Sequence, residues 1–319
     1  TAAPRTVGLQ RTRRAPGDAI FLGLVASFAG LVLVALGLIV IRTTASAWPF
    51  LQDDVGDFIT GQRWAPSREI YGALPFVVGT VVSSLLALVF AVPVGIGIAL
   101  YLNEAAPRRV RQPLIYLVEL LAAVPSVVYG LWGIFVMGVF IRDQFGPLVV
   151  DYFGWLPFLD GTPLITGLLS ACIILTIMIT PTIMAVSRDV IAAVPRSQRE
   201  GIMALGATRW EAIRIALLPY ARSGVMGAAI LGLARAVGET LAVTLVIGNR
   251  VEIPDNVFAP TYTMASIIAN QFTEVENDLH RSALVEVALL LLVLTFLINV
   301  VARLLVWRVT RGQRAVVQE

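Results

Sequence analysis

The stretch LGLARAVGET, residues 231–240, sets an arginine and a glutamate inside a segment that otherwise reads as membrane. Across residues 223–249 the chain runs SGVMGAAILGLARAVGETLAVTLVIGN, and Arg235 and Glu239 are its only charges. They fall near its middle, where a charge is most costly and an ionisable residue is a functional hypothesis by default. On a continuous helix at 100° per residue, Arg235 lies about 20° around from Gly224 and Glu239 about 60°. Ala228 and Gly232 share that face, so the charges ride on a stripe of small residues, the kind that lets membrane helices approach closely. The pair therefore points into a protein interface or a pathway and away from lipid. Two readings stay open. In the first, Arg235 and Glu239 form a self-neutralised i,i+4 pair that fixes packing, although arginine before glutamate is the weaker order and burial costs desolvation. In the second, Arg235 is a temporary ligand for an anion crossing the membrane, because a guanidinium fork matches oxyanions two atoms at a time. Glu239 would then hold the empty fork or accept a proton-bearing oxygen.

The composition around this segment narrows the class. The chain has 319 residues, 57% hydrophobic and 14% charged, so several segments belong in lipid. All 24 of its Lys+Arg residues are arginine. Without a lysine there is no Walker A loop, and the chain binds no nucleotide through a P-loop of its own. Cys172 and His280 are single residues of their types, which excludes internal disulfides and cysteine/histidine zinc sites. No metal or other cofactor is expected on this chain. The arginines are scattered between apolar runs instead of forming one basic face, so no nucleic-acid partner is expected; the partner is membrane lipid.

A bilayer core takes about 20 apolar residues per helix. Runs of that kind lie at residues 19–41, 74–102, 114–140, 164–186, 224–248 and 283–306. The first is basic and then apolar like a signal peptide, but it is too long for one and is expected to be retained. Arginine placement orients the spans. One side holds arginines 5, 11, 13, 14, 108, 109, 111, 188, 196, 199, 209, 214, 222, 303, 308, 311 and 314. The other loops carry arginines 42, 63, 68, 142, 250 and 281 together with twelve acidic residues, Asp53, Asp54 and Asp57 among them. The expected fold is all-α, integral to the membrane, with six helices and both termini in the cytoplasm. The outer loops carry Trp48, Pro49, Trp64, Pro66, Trp155 and Pro157, which suit caps at the outer interface.

The long inner loop, about residues 187–222, reads as two short helices. Gly206 closes the first, and Thr208 with Glu211 forms the capping box of the second. Trp210, Ile213 and Leu217 are expected on one face, with Pro219 ending the run. Glu200, Gly206-Ala207 and Leu218-Pro219 have the spacing of the EAA loop of ABC importer permeases, EAA-x3-G-x9-I-x-LP. Two positions depart from it: Gly201-Ile202 stand for Ala-Ala, and Ala216 stands for isoleucine. The resemblance tightens at RAVGET (235–240), VGTVVSSLLALVFAVPVGIGIALYLNE (78–104) and VELLAAVPSVVYGLWG (118–133). Together these resemble the permease subunits of bacterial phosphate-specific ABC importers over residues 74–308, and the layout is more similar to the C-type than to the A-type permease.

The resemblance implies a type I ABC importer permease fold: a permease domain over 74–308 following a first span and outer loop at 19–73, with cytoplasmic tails at 1–18 and 309–319. It implies a non-catalytic subunit of the bacterial cytoplasmic membrane that imports inorganic phosphate. Its partners would be a second phosphate permease, two ATP-binding subunits that hold ATP and Mg, and an extracytoplasmic phosphate-binding protein. Glu200, Gly206, Ala207, Thr208, Trp210, Glu211, Leu218 and Pro219 would couple to the ATPase. Arg235 and Glu239 would line the path. Glu119 would either line it or bond a neighbouring helix, and Ser126 and Tyr129 would bond solute or satisfy their own helix. Pro93, Gly95 and Gly97 read as a kink with close packing, and Glu286 as reaching the outer interface. The alternatives are a permease for sulfate or phosphonate, a proton-driven symporter using Glu239, and a sensor that binds without transport.

Overall fold

The computed structural model of the chain describes residues 16–51 and 55–314. Arginines 5, 11, 13 and 14, Asp53 and Asp54 lie outside the described residues, as do the side chains of Trp48, Pro49, Arg311 and Arg314. Among the described residues six helical stretches are long and apolar enough to cross a membrane: Ile20–Ala47, Leu74–Ala105, Ser126–Phe153, Leu168–Ala192, Arg209–Gly238 and Asp278–Arg308. Six spans were expected, but the third and fifth are placed differently, and the difference shapes the site.

The first helix, α1 (Pro16–Leu51), is apolar all round and exposed along its length, as suits a helix surrounded by lipid. It touches the rest of the chain mainly through the last helix. A short helix α2 (Val55–Thr60) and a hairpin of β1 (Trp64–Ala65) and β2 (Ile70–Tyr71) lead into α3 (Leu74–Leu100). A widened π turn, Tyr101–Ala105, then brings the chain to α4 (Arg108–Ala123). The expected third span began inside α4. In the structure α4 is a separate amphipathic helix, because Val124 stands before Pro125 and is driven to extended backbone (φ −64°, ψ 129°). The third span restarts at α5 (Ser126–Trp132) and runs through two π turns to α6 (Gly146–Phe153). Its outer half therefore takes in Arg142 and Asp143, which neutralise each other through two bonds of 2.6 and 2.8 Å.

The fourth span, α7 (Leu168–Ala192), is the most buried and forms the axis of the bundle against α3 and the fifth span. Two short helices follow, α8 (Arg196–Ala204) and α9 (Arg209–Ala212). Pro219 does not end this run. The chain continues through a π turn, Ile213–Leu217, into α10 (Leu218–Gly238), where Pro219 occupies the first turn and its missing N–H costs nothing. The stripe Gly224, Ala228, Gly232 faces α7 as expected. A Cβ on Gly232 would sit 2.8 Å from Ile183 side-chain atoms, and one on Gly224 would collide with Val190. Gly95 of α3 also packs on Ile183, so closely that a Cβ there would stand 2.9 Å from Ile183 Cγ2. Gly97, in contrast, faces open space.

The expected fifth span ran to residue 248, but the helix stops at Gly238. The remainder forms α11 (Leu241–Val246), which packs closely on α5. Helix α12 (Met264–Gln271) then leads to the long α13 (Asp278–Arg314).

At one end of the bundle Trp64, Tyr71, Phe76 and Tyr262 cluster with Ala283, Leu284 and Val287 of α13. His280, the single histidine, lies in the first turn of α13, is buried, and stacks on Tyr71. Gln271 Oε1 accepts from Trp64 Nε1 at 2.8 Å and lies 3.1 Å from His280 Nε2. Glu286, expected at the interface, is buried instead, because α13 turns that face inward beside Ala283 and Val287. At the other end Leu102, Ile115, Ile191, Ala216 and Leu217 seal α3, α4 and α7 against the short-helix loop.

Candidate functional site

The fifth span ends at Gly238 and the third begins after the interruption at Val124–Pro125, and these two helix breaks are neighbours. Irregular backbone beside a span is tolerated where protein buries it or where it lines a cavity. At the first break Gly238 closes α10, and Glu239 is extended (φ −69°, ψ 125°). Thr240 Oγ1 donates to the Gly238 carbonyl at 3.2 Å and so satisfies one group that the break releases. At the second break Tyr129 Oη reaches back from α5 to the Leu121 carbonyl of α4 at 2.7 Å. The breaks meet because α5 lies on α11 with almost no room between them. A Cβ on Gly130 would stand 2.5 Å from Leu245 Cδ1 and 3.2 Å from Ala242 Cα.

Arg235 sits in the last turn of α10, just before the first break. Its Nη1 donates to Thr182 Oγ1 of α7 at 3.3 Å, and its charge is within Coulombic reach of the Tyr129 phenol. The i,i+4 pairing with Glu239 is not formed, and among the described residues no ion pair joins the two. The reason is geometric: the helical phase that would stack them ends at Gly238, and Glu239 leaves along an extended path. Arg235 is exposed on this chain and Glu239 is half-buried, so the guanidinium keeps most of its donors free.

The remaining pathway candidates separate. Tyr129 spends its hydroxyl on the helix break and is a structural strut. Ser126 opens α5 and is half-buried. Glu119 is engaged elsewhere: it lies on α4 and pairs with Arg188 of α7 at 3.2 Å, the interhelical bond that was one of its two readings. Thr182 was missed. Its signal was the Thr180-Pro181-Thr182 interruption of an apolar run, which marks a kink in α7 beside the charged face.

The loop of α8 and α9 is built as its residues predict. Gly206 is left-handed (φ 88°), with Gly206 N–H on the Met203 carbonyl at 3.0 Å and Ala207 N–H on the Ile202 carbonyl at 3.4 Å, a Schellman closure. Thr208 and Glu211 make the reciprocal capping box, 3.3 Å one way and 2.7 Å the other. Trp210 departs from the expected face. Ile213 and Leu217 pack inward, but Trp210 is 64% exposed, because the π turn inserts a residue and shifts the phase between them. Met203, Leu205 and Trp210 thus form an uncovered apolar knob around Gly206, with Glu200 exposed on α8 and Leu218 and Pro219 half-buried at the root of α10. The loop is tied to the bundle by Arg199, which pairs with Glu104 at 2.8 Å and donates to the Ile191 carbonyl at 3.1 Å.

Comparison with known proteins accords with this layout. The family described as binding-protein-dependent transport system inner membrane component matches residues 91–311. Over 296 residues the chain is 44% identical to the phosphate transport system permease protein PstC of Mesorhizobium japonicum, covering 92% of this chain and 90% of the relative. Identity is 39% over 302 residues to the protein of that name from Haemophilus influenzae, covering 93% and 96%. Among solved structures, a bacterial ABC transporter involved in the import of the acidic polysaccharide alginate superposes with a TM-score of 0.59 at 17% identity. That match covers 88% of this chain and 94% of the other, and it bears on the fold alone.

Proposed function

The chain belongs to the family of binding-protein-dependent transport system inner membrane components, has the fold of a type I ABC importer permease, and from that premise we propose that it imports inorganic phosphate. The observation that carries the reading is Arg235. It is a guanidinium held in the last turn before the helix break, anchored by one bond to Thr182 and otherwise open. Such a fork can take two oxyanion oxygens at once. Identities of 39–44% to proteins named for phosphate transport, over nearly the whole chain, support phosphate above other oxyanions. Glu239, just past the break, is assigned to a proton-bearing oxygen of the same anion, and Ser126 to the wall of the path.

The mechanism is alternating access in a complex with other subunits: a second permease, two ATP-binding subunits holding ATP and Mg, and an extracytoplasmic phosphate-binding protein. This chain holds no nucleotide and no metal. The termini and the α8–α9 loop face the cytoplasm of a bacterial cell, as the arginine bias requires. Closure of the ATPases pushes on the knob around Gly206. The capping box and the Glu104–Arg199 pair pass that displacement to α3 and α10 as rigid elements. The test is uptake of radiolabelled phosphate at low micromolar concentration by cells lacking their own high-affinity system and supplied with the whole complex. Uptake that needs ATPase activity and ignores sulfate is the expected result. An assembled complex that takes up none, or that is driven by a proton gradient without ATP, overturns the reading.

A further inference from the structure

Between α4 and α7, at the end of the bundle that carries the α8–α9 loop, lies a cavity of about 410 Å³ that the transport path does not use. Its walls present Arg108, Arg111 and Gln112 from α4 and Arg188 and Asp189 from α7. The charges in it are not balanced. Arg188 is engaged twice, by Asp189 at 2.9 Å and by Glu119 at 3.2 Å. Among the described residues Arg108 and Arg111 pair with no carboxylate. Arg111 is held in place by a neutral partner, its Nη2 donating to Asn103 Oδ1 at 3.0 Å, while Asn103 Nδ2 donates to the Arg188 carbonyl at 2.9 Å. The cavity thus offers two unneutralised guanidinium groups one helical turn apart, one of them preorganised, with the Gln112 amide beside them on the same helix.

What fits is an anion, and the rest of α4 identifies its carrier. After its basic first turn the helix leaves Val110, Tyr116, Leu117 and Leu120 uncovered. A helix with a cationic start and an uncovered apolar remainder suits the boundary between headgroups and acyl chains, and basic pockets between spans on the cytoplasmic side take anionic headgroups. We propose that this cavity binds the phosphate group of an anionic phospholipid, with Arg108 and Arg111 as its ligands. The neighbouring turn, Tyr101–Ala105, carries Glu104, whose bond to Arg199 leads into α8. A lipid held here braces the joint between the bundle and the coupling loop, whichever solute the complex carries.

The test uses the intact transporter complex in detergent, a photoreactive phosphatidylglycerol as probe, phosphatidylcholine of the same chain length as control, and peptide mapping of the cross-link. Phosphatidylglycerol is expected to label α4 or the end of α7. The Arg108→Gln/Arg111→Gln double variant should weaken that labelling about thirtyfold, at the worth of one arginine each near a membrane surface. Millimolar inorganic phosphate should leave it unchanged. Equal labelling by phosphatidylcholine, or labelling that survives in the double variant, overturns the proposal. Displacement by inorganic phosphate also overturns it, because the site would then be one for free anions. Should the double variant fail to assemble, Gln112→Glu places in the cavity wall a carboxylate that repels the lipid phosphate, and unchanged labelling there overturns it equally.

Discussion

Arg235 has five N–H donors, and within this chain a single bond to Thr182 is formed. That imbalance is what makes it a ligand in waiting and not a packing residue. Bonds to a charged group are worth roughly 1.5–3 kcal/mol, so Arg235→Ala should cut phosphate uptake by about tenfold to a hundredfold with the complex still assembled and hydrolysing ATP. Parallel loss of assembly and uptake would return Arg235 to a structural role. Arg235→Lys keeps the charge but not the fork, and is expected to recover a minor part of the flux. Thr182 acts through Arg235. Thr182→Val should raise the half-saturating phosphate concentration by about tenfold, the lower end of what a hydrogen bond to a charged group is worth. In the Arg235→Ala background the same change should do nothing, which a double-mutant cycle reads directly.

At the scale of elements, the α8–α9 loop, proposed above to meet the ATPase, depends on one backbone angle. Gly206 is left-handed, and a β-branched side chain there costs about 1–2 kcal/mol of strain before any contact is lost. Because a Cβ on Gly206 would meet nothing within 4 Å, that cost comes from the backbone and not from a clash. Gly206→Val is therefore expected to lower phosphate-stimulated ATP hydrolysis and uptake together, with phosphate delivery to the outer face untouched. Normal stimulation in that variant would show that the knob of Met203, Leu205 and Trp210 does not need its present turn. The capping box and the glycine closure were legible because each is chemistry within four residues. The outward position of Trp210 was not, because the π turn over Ile213–Leu217, IRIAL, has no local signature in the sequence.

For the whole molecule, one residue closes a contact across most of the chain. Gln271 Oε1 takes Trp64 Nε1–H from the hairpin and faces His280 at the head of α13. Gln271→Ala would leave two buried donors unmet, at about 1–3 kcal/mol each, and should lower the melting temperature of the detergent-solubilised complex. An unchanged melting temperature would mean that water replaces the amide. The orientation of the bundle has its own measurement. Cys172 is buried, so a single added cysteine is the accessible one. Asp160→Cys should react with a membrane-impermeant maleimide on intact cells, and Ser197→Cys should react after the cells are opened. The reverse pattern would invert the topology.

The sequence by itself determined the class, the number of spans and the local closures of the α8–α9 loop. Hydropathy, arginine distribution and capping are properties of short stretches, so they survive without knowledge of the fold. Tertiary structure decided where the helices break. The Arg235–Glu239 pairing dissolved because α10 stops at Gly238, where Thr240 takes up the Gly238 carbonyl and α11 turns away to pack on α5. Likewise Glu119 belongs to Arg188, Tyr129 to Leu121, and Arg235 to Thr182, all partners at long range or across a break. A helical phase can be extrapolated along a sequence, but whether the helix continues depends on which distant surface is there to satisfy it when it ends.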